Sequence, residues 1–221
     1  MDKRLDILFV HPNGSKKVYQ DLSKDHSAIE PPIWAAMLAN HCRSRGFGVQ
    51  ILDCEVERLT TEASAKIIYD IDPRIVCFVV YGQQPSASTQ NMSGAIDTAI
   101  EVKNLKKEMR TLFVGGHVAA LPRDTLAHDC VDMICQNEGV YTISNLLSAD
   151  GVEDISTLKK IKGLGYKDGK NIILNEPEKI VPRSRLSIDL PGMAWDLLPD
   201  LKRYRTAGWH SWSNNTEKEP F

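Results

Sequence analysis

Short apolar runs alternate with stretches of helical periodicity over the first 147 residues of the chain. The runs are nearly continuous in apolar residues, as in parallel strands that are covered on both faces. They predict strands at residues 5–10, 48–52, 75–81, 111–114 and 133–135. Between them, apolar residues recur at helical spacing and predict helices over residues 32–45, 61–70, 88–109 and 141–147.

Strands that alternate with helices indicate a parallel sheet with helices on both faces. Right-handed crossovers leave few topologies for such a chain, and five strands favour the flavodoxin-like order 2-1-3-4-5. We therefore expect a doubly wound α/β domain with a five-stranded parallel sheet over residues 1–150.

The pattern changes after residue 150. Two short strand-like pieces flank residues 167–170, whose sequence Lys-Asp-Gly-Lys is a β-hairpin signal. This segment is not a phosphate-binding P-loop, because the motif needs glycine at Leu164 and Ser or Thr at Asn171. The chain is irregular and rich in Pro and Trp from residue 177 onward. Residues 151–221 are therefore predicted to form a C-terminal hairpin and an irregular connector.

Composition narrows the class of protein. Hydrophobic residues make up 42% of the chain, which is enough for a core, and 27 basic against 29 acidic residues show no basic excess for nucleic acid. No apolar run reaches the roughly 18 residues of a membrane span, and no signal peptide is visible, so we expect a cytoplasmic protein. The five scattered cysteines predict reduced, mostly buried thiols and no metal site.

Candidate binding residues follow the predicted strands, because ligands of doubly wound sheets bind beyond the carboxyl ends of the strands. The segments after strands one, three, four and five are small, polar and rich in glycine. They offer backbone N–H groups and hydroxyls to a ligand with amides or a phosphate. They are residues 11–15, which include Asn13, and residues 82–89, 115–117 and 136–139.

Each segment also has a purely structural explanation. Gly115-Gly116 suits a tight turn, and Ser86, Ser88 or Thr89 suits the N-cap of the long third helix. His117 suits an ordinary loop histidine, and Glu138-Gly139 suits a helix start. The position of all four segments on one edge favours a ligand site.

Several functions of this topology are excluded. A phospho-receiver needs acidic residues at the ends of strands one and three, where this chain has His11-Pro12 and Tyr81-Gly82. No GxGxxG follows strand one, which excludes a dinucleotide fingerprint, and no GxSxG elbow indicates an esterase. A flavodoxin-like FMN electron carrier stays open, although the loop after strand one is long and charged rather than rich in Ser, Thr and Gly.

A set of longer motifs is more specific. Pro31-Pro32 opens the first helix, and further motifs are RGFGVQILD (45–53), GGHVAALP (115–122), DMICQNEGVYT (132–142), IKGLGYKDGKNIIL (161–174) and LPGMAWDLLPDLKRYR (190–205). Together they resemble the N-terminal cobalamin-binding domain of B12-dependent radical SAM enzymes and the segment that joins it to the radical SAM barrel. The resemblance covers nearly the whole chain.

The resemblance implies a cobalamin whose corrin lies over the carboxyl edge of the sheet, with its nucleotide tail directed toward strands one, three and four. Paired glycines would let this flat group approach the backbone, and hydroxyls would bind its phosphate. The residues that the resemblance assigns to the cofactor are Tyr81, Gly82, Gln83, Pro85, Ser86, Ser88, Thr89, Gly115, Gly116, His117, Asn137, Glu138 and Gly139.

Two family motifs are absent. Without D-x-H-x-x-G, the resemblance implies that cobalt has no protein histidine as a lower ligand. Without CxxxCxxC, the chain is expected to stop before the radical SAM domain, as a fragment or a truncated gene product that is not catalytic alone. The 4Fe-4S cluster and S-adenosylmethionine then belong only to the full-length parent, a methyltransferase-like or related radical enzyme.

The tryptophans of the tail bear on the alternatives. Trp195, Trp209 and Trp212 suit docking onto a missing second domain, with an exposed apolar patch near the last two. A free flavodoxin would have no use for them, and their alternative role is packing back on the sheet. A stand-alone B12 sensor or binding domain of the same fold stays open beside the FMN carrier.

Overall fold

The computed structural model describes residues 4–14, 29–82, 85–149, 152 and 154–204, without the side chains of residues 85–87. Elements are numbered over these residues. The strands are β1 (Ile7–His11), β2 (Val49–Asp53), β3 (Ile75–Val80), β4 (Thr111–Gly115), β5 (Met133–Cys135), β6 (Leu164–Asp168) and β7 (Asn171–Leu174). The helices are α1 (Ile33–Arg43), α2 (Thr61–Ile71), α3 (Pro85–Leu105), α4 (Gly116–Ala120), α5 (Pro122–Ala127), α6 (Val140–Ser148), α7 (Ile155–Leu158) and α8 (Leu186–Asp189).

The described strands form one sheet in the order β2-β1-β3-β4-β5-β6-β7. The first five are parallel, which confirms the predicted fold class and the order 2-1-3-4-5. The predicted hairpin is also present, and Gly169 and Lys170 connect its strands. The hairpin is not separate from the sheet, because β6 pairs antiparallel with β5 and extends the sheet to seven strands.

Two apolar layers cover the sheet, one on each face. Alternate residues of β1, β3 and β4 pack with α1 and α6 in one layer and with α2 and α3 in the other. Every residue of β1, β3, β4 and β5 is buried, which explains why these strands are apolar on both faces. The edge strand β2 is only partly buried.

The helices begin and end within a few residues of the predicted positions. Thr60 accepts a hydrogen bond from the backbone N–H of Ala63, so it is the N-cap of α2. The long helix α3 begins at Pro85 and ends at Leu105, not over the predicted 88–109. The short helices α4, α5 and α7 were not predicted, because four to six residues contain too little periodicity.

A connector, defined here as residues 175–204, makes hydrogen bonds with α1. Asp189 on the connector accepts hydrogen bonds from Arg45, Tyr141 and Arg185, at 2.6–3.0 Å. The connector is irregular apart from short helical turns, as predicted. Trp195 is 41% exposed, whereas Trp209 and Trp212 lie outside the described residues. No described helix is long and apolar enough to cross a membrane.

Candidate functional site

The residues after β3 and β4 meet at the carboxyl edge of the sheet. The buried Ser88 hydroxyl donates a hydrogen bond to the backbone carbonyl of Val80 and accepts one of 3.0 Å from the backbone N–H of His117. The His117 imidazole Nδ1 lies 3.1 Å from the Thr89 hydroxyl. Ser88 and Thr89 lie inside α3 rather than before it, so the interpretation of either residue as the N-cap is wrong. The structure therefore brings together three of the predicted site residues.

The two glycines after β4 have different roles. A Cβ atom at Gly115 would lie 2.0 Å from the carbonyl oxygen of Val80, so only glycine lets β4 approach β3 so closely. Among the described residues, a Cβ atom at Gly116 would have only Ser88 within 4 Å, at 3.6 Å or more. Gly116 is exposed and begins α4 directly. Gly115 thus permits the close approach of β4 to β3, and Gly116 is exposed with room for a larger group among the described residues.

The segment after β1 is held against α3. The Asn13 side-chain amide donates a hydrogen bond of 3.1 Å to the carbonyl of Leu59. A Cβ atom at Gly94 would lie 2.6 Å from the carbonyl oxygen of Asn13, so glycine permits this close approach. Sequence analysis did not single out Gly94, because a glycine inside a helical pattern shows no long-range contact. The first residues of this loop are therefore placed beside the residues after β3.

Tyr81 and Gly82 directly follow β3. Gly82 is exposed, and the partly buried Tyr81 ring stacks on Trp34 with ring centroids 4.7 Å apart. Trp34 is the second residue of α1, and sequence analysis did not select it. The sequence feature that could have pointed to Trp34 is its position just after Pro31-Pro32, at the start of a helix that begins at the carboxyl edge of the sheet. Burial, followed by the nearby Cys135 and Glu138, raises the pKa of the Tyr81 phenol, which is therefore neutral at ordinary pH.

The candidates after β5 contact the connector. The Asn137 side-chain amide donates to the carbonyl of Glu178 at 2.8 Å, and the Asn137 side-chain oxygen accepts from the backbone N–H of Gly139 at 3.2 Å. The Glu138 carboxylate accepts from the backbone N–H of Val181 at 3.5 Å. Gly139 is the N-cap of α6, as the structural explanation of this segment required. A role of these three residues in ligand binding stays a prediction.

Of the predicted site residues after β3, three are described only in part or not at all. Gln83 lies outside the described residues, and Pro85 is the first residue of α3. Ser86 lies in the first turn of α3, and the side chains of both Pro85 and Ser86 are outside the description.

A buried polar cluster that sequence analysis did not find lies at the ends of β1 and β2. The His11 imidazole Nε2 is 3.3 Å from the Glu55 carboxylate, and Tyr204 donates a hydrogen bond of 2.8 Å to Asp53. Burial alone lowers the pKa of His11, but the hydrogen bond with Glu55 and the charge of Asp53 outweigh it and raise this pKa above its ordinary value. Burial raises the pKa of Glu30, and the charge of Glu55 adds to this effect.

The cysteines are as predicted, since all five are free and buried. Burial raises the pKa of Cys42, of Cys54 and, by a large amount, of Cys77, so these thiols are protonated and unreactive. Within the described residues, no group of His, Cys, Asp and Glu side chains is arranged to hold a metal ion.

The fold is that of a doubly wound α/β domain, with exposed glycines Gly82 and Gly116 at the ends of β3 and β4. A family model for the B12-binding domain matches residues 26–147, which is more than half of the chain, so the chain belongs to the B12-binding domain family. Cobalamin is therefore its cofactor, as the sequence motifs implied.

Solved structures share the fold. The radical S-adenosylmethionine methyltransferase TsrM from Kitasatospora setae, with cobalamin and a 4Fe-4S cluster bound, matches 82% of this chain and 30% of its own, with a TM-score of 0.58 and 17% identity. The cobalamin-dependent S-adenosylmethionine radical enzyme OxsB, with aqua-cobalamin bound, matches 87% of this chain and 24% of its own, with a TM-score of 0.61 and 17% identity. The chain thus spans less than a third of either protein. No curated protein matches the chain.

The residues present fit a corrin. Gly82 and Gly116 are exposed and carry no side chain of their own, so a broad flat group can approach the backbone at this edge. The Thr89 hydroxyl is exposed beside them, and the imidazole of His117 is only partly buried. These groups are suited to the amides and the phosphate at the periphery of cobalamin.

Proposed function

We propose that this chain is the cobalamin-binding module of a B12-dependent radical SAM enzyme, with methyltransferase-like or related radical chemistry in the full-length parent. One observation carries the proposal. A member of the B12-binding domain family has an open, glycine-lined carboxyl edge at Gly82 and Gly116. The likeness of the fold to TsrM and OxsB supports the radical SAM parent, since both are described as radical S-adenosylmethionine enzymes.

The residues have the following roles in this proposal. Backbone at Gly82 and Gly116 accepts the corrin, and Ser88 fixes the start of α4 so that the edge keeps its shape. Thr89, His117 and Asn13 are placed to bind the periphery or the nucleotide tail. Bound cobalamin would supply a carbon–cobalt bond from which a methyl group can be transferred. Residues 151–221 connect this domain to the domain that would hold the cluster and S-adenosylmethionine.

The first experiment is a titration of the purified chain with hydroxocobalamin and with methylcobalamin, followed by gel filtration and visible absorption. We expect stoichiometric retention of corrin, with a spectrum shifted toward the base-off form. Gly116→Trp should abolish retention, because the indole would occupy the space above the edge. Glu108→Trp is the control, since it introduces the same side chain at an exposed position on the amino edge of the sheet.

Three outcomes contradict parts of the proposal. Retention of FMN without corrin would identify an electron carrier instead. Corrin retention that is unaffected by Gly116→Trp would move the site away from β4. Isolation of the native polypeptide with cobalamin but with no iron or acid-labile sulfide, and no CxxxCxxC in its complete sequence, would identify a stand-alone B12 sensor or binding domain.

A further inference from the structure

An aromatic pair lies at the point where the strand order of the sheet reverses. Trp34 belongs to α1, which follows β1, and Tyr81 directly follows β3. Strands β1 and β3 are neighbours in the sheet, and the helices that follow them cover opposite faces. The crevice between two such strands is the place where doubly wound sheets bind their ligands. Both members of the pair thus come from the elements that border this crevice.

The two stacked rings present a flat aromatic surface, which is called the platform below. The ring centroids are 4.7 Å apart and the ring planes are inclined by 21°, so the rings are stacked rather than edge-to-face. Both side chains are partly buried and pack against the apolar layer that contains α1 and α6. The neutral Tyr81 phenol has no hydrogen-bond partner among the described residues, so no polar contact there fixes the orientation of its ring.

The surroundings favour a flat ligand over a small polar one. Gly82, the residue after Tyr81, is exposed and leaves the approach to the platform open. The His11 imidazole at the end of β1 is buried and lies 3.3 Å from the carboxylate of Glu55, so it is not an exposed polar group at this edge. An extended π system and the apolar edge of a corrin are complementary to a stacked aromatic surface.

We propose that Trp34, stacked on Tyr81, forms the floor of the cobalamin site and supports the corrin at the crevice between β1 and β3. The inference rests on the proposed cobalamin-binding function and adds a contact residue to it. Trp34 acts through its aromatic face, so an aliphatic side chain cannot replace it.

Conservative variants separate stacking from packing. Trp34→Phe keeps an aromatic ring, whereas Trp34→Leu keeps apolar bulk without one, and both preserve the buried contact with the layer below. Trp195→Ala is the control, because it removes a tryptophan that is 41% exposed on the connector. Hydroxocobalamin affinity is measured by visible titration, and folding by thermal unfolding monitored by circular dichroism.

We expect Trp34→Leu to weaken cobalamin binding by about tenfold, Trp34→Phe by no more than about threefold, and Trp195→Ala not at all. Equal affinity of the wild type, Trp34→Phe and Trp34→Leu would overturn the inference and leave cobalamin binding intact. If the wild-type chain itself binds no corrin, the proposed function fails first. If Trp34→Leu unfolds, Tyr81→Leu compared with Tyr81→Phe tests the same platform from its other side, and equal affinity of that pair also overturns it.

Discussion

Tyr204 donates a hydrogen bond of 2.8 Å to the carboxylate of Asp53, a residue 151 positions earlier in the chain. Both side chains are buried, and Asp53 is the last residue of β2. Arg203 reinforces the contact through two hydrogen bonds, of 2.6 and 3.0 Å, to the Glu57 carboxylate. The contact therefore fixes the described end of the connector at the carboxyl edge of the sheet, the same edge that carries the candidate cofactor site.

The hydrogen bond of Tyr204 should contribute measurably to stability. Tyr204→Phe removes the donor and leaves one oxygen of a buried carboxylate without this partner. We expect the free energy of unfolding to fall by about 1–3 kcal/mol. Urea denaturation monitored by circular dichroism measures this change. Tyr69→Phe is the control, because the Tyr69 side chain is 42% exposed on α2 and should change stability by less than about 0.5 kcal/mol. Equal stability of the two variants would contradict the prediction.

The close approach of β4 to β3 requires glycine at position 115. In Gly115→Ala the new methyl group would lie 2.0 Å from the Val80 carbonyl oxygen, and this backbone atom cannot move aside as a side chain would. We expect a loss of at least about 2 kcal/mol of stability, or failure to fold. Gly116→Ala is the matched control. Its methyl group would make only an ordinary contact with Ser88, so the melting temperature should stay close to that of the wild type.

Most of the fold could be predicted from periodicity. Fully buried strands such as β3 and β4 leave continuous apolar runs, and alternation with helices determines a parallel sheet whose order follows from the crossover rule. The pairing of β6 with β5 could not be predicted. An Asp-Gly hairpin signal is local, and it contains no information about which edge of which sheet the hairpin joins.

The candidate site could be predicted less completely than the fold. Gly115, Gly116 and His117 were selected as candidates because they directly follow an unmistakable strand, and their role in binding stays a prediction. Trp34 was missed because it is separated from β1 by a long loop, and its stacking on Tyr81 is a tertiary contact with no signal in the local sequence. The cluster of His11 with Glu55 was missed for the same reason, since 44 residues separate the two side chains.

The connector should lose its ionic contact with Arg45 and its charge-assisted hydrogen bond with Tyr141 at low pH. Arg185, Tyr141 and Arg45 donate hydrogen bonds to the Asp189 carboxylate and hold its pKa well below its usual range. A carboxyl whose pKa is depressed on folding stabilises the protein fully above its unfolded pKa of about 3.9, and this contribution is lost as pH falls below that value. At neutral pH, we expect Asp189→Asn to lower the midpoint of urea denaturation.

The difference between the wild type and Asp189→Asn should shrink as pH falls below about 4, because the carboxyl of the unfolded chain then becomes protonated while the folded protein still holds it as a carboxylate. Asp196→Asn is the control on the same connector, since Asp196 pairs with Arg43 at an exposed position. A difference for Asp189→Asn that is unchanged between neutral and acidic pH would show that the carboxylate charge is not what holds the connector.

Ser88 links the structure of the edge to its function, because its hydroxyl connects the end of β3 to the start of α4. Ser88→Ala leaves the Val80 carbonyl without this donor and the His117 backbone N–H without its acceptor. We expect a loss of about 1–3 kcal/mol of stability, since both groups lose a hydrogen bond at a buried side chain. We also expect weaker retention of hydroxocobalamin, because the helix that begins at Gly116 would no longer be fixed to the sheet.

Thr89→Ala is the control for the stability of Ser88→Ala, since Thr89 is exposed and its substitution should change the free energy of unfolding by less than about 0.5 kcal/mol. If Ser88→Ala were as stable as Thr89→Ala and retained corrin as the wild type does, the edge would be held by other contacts, and Ser88 would have neither the structural nor the binding role assigned to it.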